Sequence, residues 1–128
     1  MKKSGSSKPP RDGLHQEFFK DGSVESEGHY KAGKKHGPWK HYLLNRVVRA
    51  EGQFENGVFV GPWKWRRENG EIWQTGRFEA NKQSGVWKRY HPNGKRMDEG
   101  TYRDGKRVGE WKFYDPKGKL LRTKKFKD

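Results

Sequence analysis

Aromatic residues and glycines recur every 24 residues along this chain, as from Trp39 to Trp63. The rest of the sequence is mostly polar. Three columns are clearest: Trp39, Trp63, Trp87 and Trp111, each followed by Lys; Tyr30, Phe54, Phe78 and Tyr102; and Gly28, Gly52, Gly76 and Gly100. A repeat of this length is one supersecondary unit that stacks on its neighbours. The pattern therefore predicts a tandem array rather than a layered globule.

Each unit contains two segments with the character of β-strands, separated by turns rich in Gly and Asn. One strand is predicted around the motif G-x-[YF] and the other around G-x-W-K. The turns at Asp21-Gly22, Asn69-Gly70 and Asn93-Gly94 are expected to be type I′, in which both central residues have positive φ. Asn45-Arg46 departs from this pattern, and we expect a wider or irregular turn there. The glycines interrupt any apolar pattern with a period of 3.6 residues, so no helix is predicted.

The predicted fold is all-β: an elongated antiparallel meander of stacked 24-residue hairpins in a single layer. Residues 1–12 are expected to form a flexible basic leader, and residues 13–126 to form five repeats. The expected units are 13–27 (a partial cap), 28–51, 52–75, 76–99 and 100–126. His15 stands where the other units have Trp, which is typical of an end cap.

Successive side chains of a strand point to opposite faces, so each Trp and the Lys that follows it lie on different faces. The tryptophans are predicted to form the spine of the core, together with the column Tyr30, Phe54, Phe78 and Tyr102. The opposite face is predicted to bind a partner through Lys40, Lys64, Lys88 and Lys112 and through the adjacent column Tyr42, Arg66, Tyr90 and Tyr114. Trp65 is expected to join the tryptophans, because the aromatic residue shifts by one in that unit.

The composition supports a thin aromatic core and a basic surface. Only 28% of the residues are hydrophobic, and 30 Lys and Arg against 16 Asp and Glu give a formal charge of +14. Residues 1–12 carry a net charge of +3 and residues 117–128 carry +5, more than half of the excess. Cysteine is absent, which excludes disulfides and suits a reducing compartment, so we expect a cytoplasmic location.

Two interpretations of the lysine column stay open. Strands about 4.8 Å apart, with two strands a repeat, space the lysines by roughly 10 Å. The column is then either a positive stripe for phosphates, acidic proteins or anionic headgroups, or a solvated face whose lysine stems cover tyrosine rings. The basic ends favour a nucleic-acid or acidic partner and favour solubility equally. The unpaired edge strands leave a monomer and an edge-paired oligomer both open, although the lysine-rich last strand is expected to resist pairing.

No motif for catalysis, for a cofactor or for a metal is present in the sequence. The five histidines form neither H-x₃-H nor H-E-x-x-H, and there is no phosphate-binding loop. A single-layer sheet also rarely provides a catalytic pocket. The sequence therefore predicts a non-catalytic binding or scaffold protein, with no catalytic, cofactor-binding or metal-ligating residues.

The pattern G-x-[YF]-x-x-G-K-x-x-G-x-W-K-x-Y-x-x-N-G resembles the MORN repeat, and it looks closest to the variant in bacterial YwqK-type antitoxins. The clearest copies are 28–42, 76–94 and 100–118. The resemblance implies β-hairpins stacked into an elongated sheet that acts as a scaffold or protein-interaction module, sometimes linked to membrane lipids. The antitoxin name implies binding and neutralising a protein toxin, and no catalytic residue is carried over.

The leading hypothesis is therefore a module that binds an acidic protein partner, such as a toxin, through the face that carries the lysines. Two alternatives are a basic RNA- or DNA-binding subunit of a nucleoprotein assembly and a scaffold attached to an anionic membrane.

Overall fold

The computed structural model describes residues 12–127, which form ten β-strands. The strands are β1 Gly13–Phe18, β2 Val24–Lys31, β3 Lys34–Tyr42, β4 Val48–Glu55, β5 Val58–Arg66, β6 Ile72–Glu79, β7 Lys82–Tyr90, β8 Arg96–Arg103, β9 Lys106–Tyr114 and β10 Leu120–Phe126. Apart from Asp12, the expected leader lies outside the described residues. Asp12 accepts a hydrogen bond from the backbone nitrogen of Ala32, at 2.8 Å, through its Oδ1.

All ten strands form one open sheet in which each strand pairs with the strands next to it in sequence. Every pairing is antiparallel, from β1–β2 to β9–β10. The predicted fold class, an all-β antiparallel meander in a single layer, is confirmed. The bounds of the individual repeats stay a prediction, because the sheet continues through them without a break.

Two kinds of turn alternate along the meander. In the turns at 32–33, 56–57, 80–81 and 104–105 both central residues have positive φ, for example 52° at Ala32 and 80° at Gly33, which is the type I′ conformation. In the other turns only one residue has positive φ, such as Gly70 at 90°. The prediction of type I′ turns at Asp21-Gly22, Asn69-Gly70 and Asn93-Gly94 was therefore wrong, because the type I′ turns lie at the other end of each hairpin.

The turn at Asn45-Arg46 is regular, so the expectation of an irregular turn was also wrong. The backbone nitrogen of Leu43 donates to the carbonyl of Val47 and that of Arg46 donates to the carbonyl of Leu43, both at 2.9 Å. Equivalent bonds close the turn that contains Asn69-Gly70. Arg46 replaces glycine by adopting a φ of 70°, a left-handed conformation that costs a non-glycine residue roughly 1–2 kcal/mol.

The four tryptophans of the repeat are buried although the sheet has one layer. Trp39, Trp63, Trp87 and Trp111 are between 2% and 4% exposed. Each ring lies against a glycine of the preceding strand, so that a Cβ on Gly28, Gly52, Gly76 or Gly100 would lie only 2.0–2.2 Å from the ring. The indole nitrogens donate to backbone carbonyls, as Trp111 does to Thr101 at 3.1 Å. The bare backbone of the neighbouring strand thus takes the place of a second layer.

The second aromatic column joins these tryptophans into a continuous series of edge-to-face contacts, which we call the aromatic ladder. Its ring centroids are 4.9–6.3 Å apart, a geometry that contributes about 0.5–1.5 kcal/mol a pair beyond burial. Phe54 is buried, whereas Tyr30, Phe78 and Tyr102 are half-buried. The members in order are His15, Tyr30, Trp39, Phe54, Trp63, Phe78, Trp87, Tyr102, Trp111 and Phe126. The ladder crosses the whole sheet.

Candidate functional site on the polar face

The lysine column lies on the face opposite to the tryptophans, which we call the polar face. In the antiparallel register, the residue after each Trp is opposite the residue before a Gly, so Lys40 is opposite Glu27 on one side and Glu51 on the other. The same register continues through all ten strands and defines one row, the central row. Its members are Gln16, Glu27, Lys40, Glu51, Lys64, Thr75, Lys88, Glu99, Lys112 and Thr123.

The lysine column is not an uninterrupted positive stripe, because the central row places other residues between its lysines. Glutamates stand between lysines at two places, Glu51 and Glu99, so the sign of the charge alternates over much of the row. The alternation fails at Thr75, which has Lys64 opposite it on one side and Lys88 on the other. Lys64 is exposed and Lys88 is half-buried. We call these three residues the central basic patch.

The acidic members of the row are bonded to residues other than the lysines of the row. Glu51 pairs with Arg66 and Glu99 with Arg96, whereas the carboxylate of Glu27 accepts the hydroxyl of Tyr42 at 2.6 Å. Within residues 12–127, none of the row's lysines has an ion pair within 4.0 Å. The lysines therefore remain the charges that the polar face offers to a partner.

The column of Tyr42, Arg66, Tyr90 and Tyr114 lies beside the central row on the polar face, and all four side chains are half-buried. Burial and then the bond to Glu27 raise the pKa of the Tyr42 hydroxyl to about 12. The same hydrogen bond is the main cause that lowers the pKa of Glu27. Tyr42 and Arg66 thus tie acidic residues to the sheet, a role that the sequence analysis did not assign to them.

The tryptophan face also carries an ion pair that the sequence analysis missed. Asp98 is only 2% exposed and lies opposite Arg89 on the neighbouring strand. Both carboxylate oxygens accept from the Nε of Arg89 at 3.1 Å, and this hydrogen bonding raises the pKa of Arg89. A buried acid with a bidentate partner holds two strands in register. No pattern in the sequence singles out this pair, because it occurs in one unit only.

Two open grooves of about 560 and 570 Å³ lie where the strands β3 and β5 run into their turns, and Leu43, Arg49 and Glu68 line both of them. The groove beside β5 also contains Trp73, whose ring centroid is 6.0 Å from the guanidinium carbon of Arg67. No role was predicted for Trp73 from the sequence. The available signal was that the chain has six tryptophans, although the repeat column contains four.

The repeats match a known family. Three segments of the chain, residues 11–32, 83–104 and 107–128, match the family model described as a MORN repeat variant, and together they cover slightly more than half of the 128 residues. The chain belongs to the MORN repeat family. MORN repeats form a non-catalytic fold and commonly serve as protein- or membrane-interaction modules. Since the third segment spans β9 and β10, the family assignment includes the far edge of the sheet.

Comparison with curated proteins found no match. Among solved structures, the chain is similar to one described as "Crystal structure of GtfA/B complex bound to UDP and GlcNAc", with 14% sequence identity and a TM-score of 0.32. The alignment covers 94% of this chain but 25% of that chain, so this chain spans about a quarter of the other's length. At this TM-score the likeness carries no argument about function. Within residues 12–127, no helix is long and apolar enough to cross a membrane.

Proposed function

We propose that this MORN-repeat chain is an interaction module that binds an acidic protein surface through the central basic patch. The observation that supports the proposal is the interruption at Thr75, where two lysines of the central row have no glutamate between them. With two strand spacings between them, Lys64 and Lys88 are about 10 Å apart. A carboxylate of the partner that lies between these two lysines would supply the negative charge that Thr75 lacks. The charges would then alternate from Glu27 to Lys112.

Electrostatic complementarity of this kind contributes mainly to specificity and to the rate of association. The half-buried aromatic rings of the adjacent column, Tyr90 among them, add apolar area of the type that is enriched at protein interfaces. We further propose, from the likeness to YwqK-type antitoxins, that the acidic partner is a protein toxin and that binding takes place in the cytoplasm.

The test compares two double variants that remove the same charge from the same column. Lys64→Gln with Lys88→Gln removes both lysines of the central basic patch, whereas Lys40→Gln with Lys112→Gln removes two lysines of the same row that do not lie opposite Thr75. Each tagged protein is used for affinity purification from a native lysate, with and without nuclease, followed by quantitative mass spectrometry. We expect an acidic protein that the wild type and the Lys40/Lys112 variant retain and that the Lys64/Lys88 variant loses.

Three results would count against the proposal. Equal loss in both double variants would mean that overall charge matters and the patch does not. Loss of the bound protein after nuclease treatment would mean that nucleic acid bridges the two. Flotation of the wild type with liposomes that contain anionic lipid, unchanged in the Lys64/Lys88 variant, would instead support a membrane scaffold.

Binding of single-stranded nucleic acid is a second candidate, and one specific observation favours it. Trp73 lines an open groove with Arg49 and Arg67, a combination of aromatic and guanidinium groups that suits base stacking and phosphate contacts. Titration with a labelled oligonucleotide at several salt concentrations tests it. Trp73→Ala should weaken binding at least about fivefold, since a stacked base contributes about 1–3 kcal/mol. Affinity unchanged in this variant, or independent of salt, would exclude the groove.

A further inference from the structure

The two edge strands of the sheet carry opposite kinds of charge. The last strand, β10, contains Arg122, Lys124 and Lys125 and no acidic residue, whereas β1 contains Glu17 and no Lys or Arg. In the described part of the chain, no further strand lies outside either edge. Unpaired edges are templates for pairing with another chain. Two copies of β10 would repel each other, but β10 and β1 are complementary.

The edges also depart from the repeat at two matching positions. Lys124 stands one repeat length after Gly100, in the glycine column, and His15 stands one repeat length before Trp39, in the tryptophan column. Inside the sheet, the residue opposite each tryptophan of the column must be glycine, because the tryptophan ring occupies the space that a Cβ would need. If β1 of a second chain lay beside β10, the side chain of Lys124 would meet the smaller imidazole of His15. The smaller ring at position 15 would thus leave room for the side chain of Lys124.

The register of the internal strands then determines which charges meet. In the pairing of β2 with β3, Ser26 is opposite His41. The positions that correspond to these two in the repeat are Arg122 on β10 and Glu17 on β1. A second chain added in this register therefore places the Arg122 guanidinium opposite the Glu17 carboxylate, a favourable cross-strand pair.

The aromatic ladder would continue across the same junction. It ends at one edge with His15, whose ring is 4.9 Å from that of Tyr30, and at the other edge with Phe126, whose ring is 6.3 Å from that of Trp111. Everywhere in between, a ring of the second aromatic column is followed by a ring of the tryptophan column. In the junction, Phe126 would be followed by the imidazole of the next chain.

We propose that the chain associates with itself head to tail, with β10 of one copy pairing antiparallel with β1 of the next. The contact joins two different edges, so it is heterologous, and each added copy leaves the same two edges free. The sheet therefore grows with protein concentration instead of closing into a dimer. This association does not depend on the function proposed above, and the polar face stays open to a partner.

The test is sedimentation velocity of the full chain from about 10 µM to about 1 mM, a range suited to the weak affinity of a small edge contact. The wild type is expected to sediment faster as its concentration rises. Glu17→Lys and Arg122→Glu should each weaken association about tenfold, because each puts like charges opposite one another. Glu55→Lys on β4 and Lys106→Glu on β9 are exposed controls with the same charge changes inside the sheet, and they should behave as the wild type does.

An equimolar mixture of the two edge variants separates pairing from damage to the fold. In that mixture every junction between unlike copies again places opposite charges together, so association should return to the level of the wild type. This arm is needed because Arg122 also lies over the ring of Phe113, at 4.8 Å, and its loss alone could loosen β10. Failure of the mixture to recover, a monomeric wild type throughout the range, or association that Arg122→Glu leaves unchanged would each overturn the proposal. The last result would indicate symmetric pairing of two β1 strands.

Discussion

Replacing Gly100 with Ala tests whether the tryptophans are held by the bare backbone of the preceding strand. Glycine inside a strand is ordinarily a weakness, and alanine in its place stabilises a protein by roughly 0.5–1 kcal/mol. Here the added Cβ would lie 2.1 Å from Cδ2 of Trp111, so the ring would have to leave its site. We therefore expect Gly100→Ala to destabilise this protein.

The size of the effect follows from what the ring loses. Trp111 is 2% exposed, donates to the Thr101 carbonyl and contacts the ring of Tyr102 at a centroid distance of 5.1 Å. Removal of a buried tryptophan side chain typically costs about 3–5 kcal/mol. After the ordinary gain from Gly to Ala is subtracted, Gly100→Ala should lower the free energy of unfolding by about 2–4 kcal/mol.

The assay is urea denaturation followed by far-ultraviolet circular dichroism, in a double-mutant cycle with Trp111→Val. In that background the ring is absent, so Gly100→Ala should be neutral or should stabilise by up to roughly 1 kcal/mol. This pair lies near the end of the sheet, so the other hairpins stay folded in both backgrounds. An equal cost of Gly100→Ala with and without the ring, or no cost in either, would refute the reasoning.

Three further predictions concern single residues. Tyr42→Phe should lower the free energy of unfolding by about 1 kcal/mol, because it removes the hydrogen bond to Glu27, and Tyr90→Phe is the matched control. Since that bond lowers the pKa of Glu27, the difference in urea midpoint between the wild type and Tyr42→Phe should shrink below pH 4.5. A difference that stays constant there would contradict the prediction. Burial, and then two neighbouring cations, lower the pKa of His41, so it takes up a proton less readily in the folded than in the unfolded state. Stability should therefore fall as the pH drops below about 6.5, and it should fall less in His41→Gln. Equal slopes of stability against pH from pH 7.5 to 5.5 would argue against this. Arg46→Gly should raise the free energy of unfolding by about 0.5–1 kcal/mol, because glycine adopts a φ of 70° without strain, and an unchanged midpoint would show that the turn is unstrained.

The strand order and the core could be predicted from the sequence because every unit repeats the same columns. A Trp and a Gly that recur together over four units place the ring and the backbone that it covers, as the pair Trp63 and Gly52 illustrates. The fold then follows from stacking identical hairpins. What repeats in the sequence also repeats in the structure, so the pattern was sufficient for these features.

The alternation of charge on the polar face was also present in the sequence but was not recognised. Once Gly52 lies opposite Trp39, the residue before the glycine must be opposite the residue after the tryptophan, so Glu51 faces Lys40. When the lysine column is considered without its neighbours on the adjacent strands, it resembles a positive stripe. With the register included, the exception at Thr75 becomes the informative position.

Other features follow from local conformation and could not be predicted from residue type. Ala32 and Arg46 adopt positive φ in turns where glycine would be the ordinary choice, because the sheet on both sides determines the path of the chain. Trp73 and the buried pair of Asp98 with Arg89 occur in single units. Residues that occur in one unit only form no column of equivalent positions, so the repeat pattern does not predict their roles.

We propose that a partner recognises the gap in the alternating row at Thr75, and the variant Thr75→Glu tests this proposal. The new carboxylate would lie between Lys64 and Lys88, so the fold should be unaffected or stabilised by roughly 0.2–1 kcal/mol. The measurement is the affinity of this variant for the purified acidic protein that affinity purification retains. We expect binding to weaken at least tenfold while the free energy of unfolding does not fall. Binding equal to that of the wild type would contradict the claim.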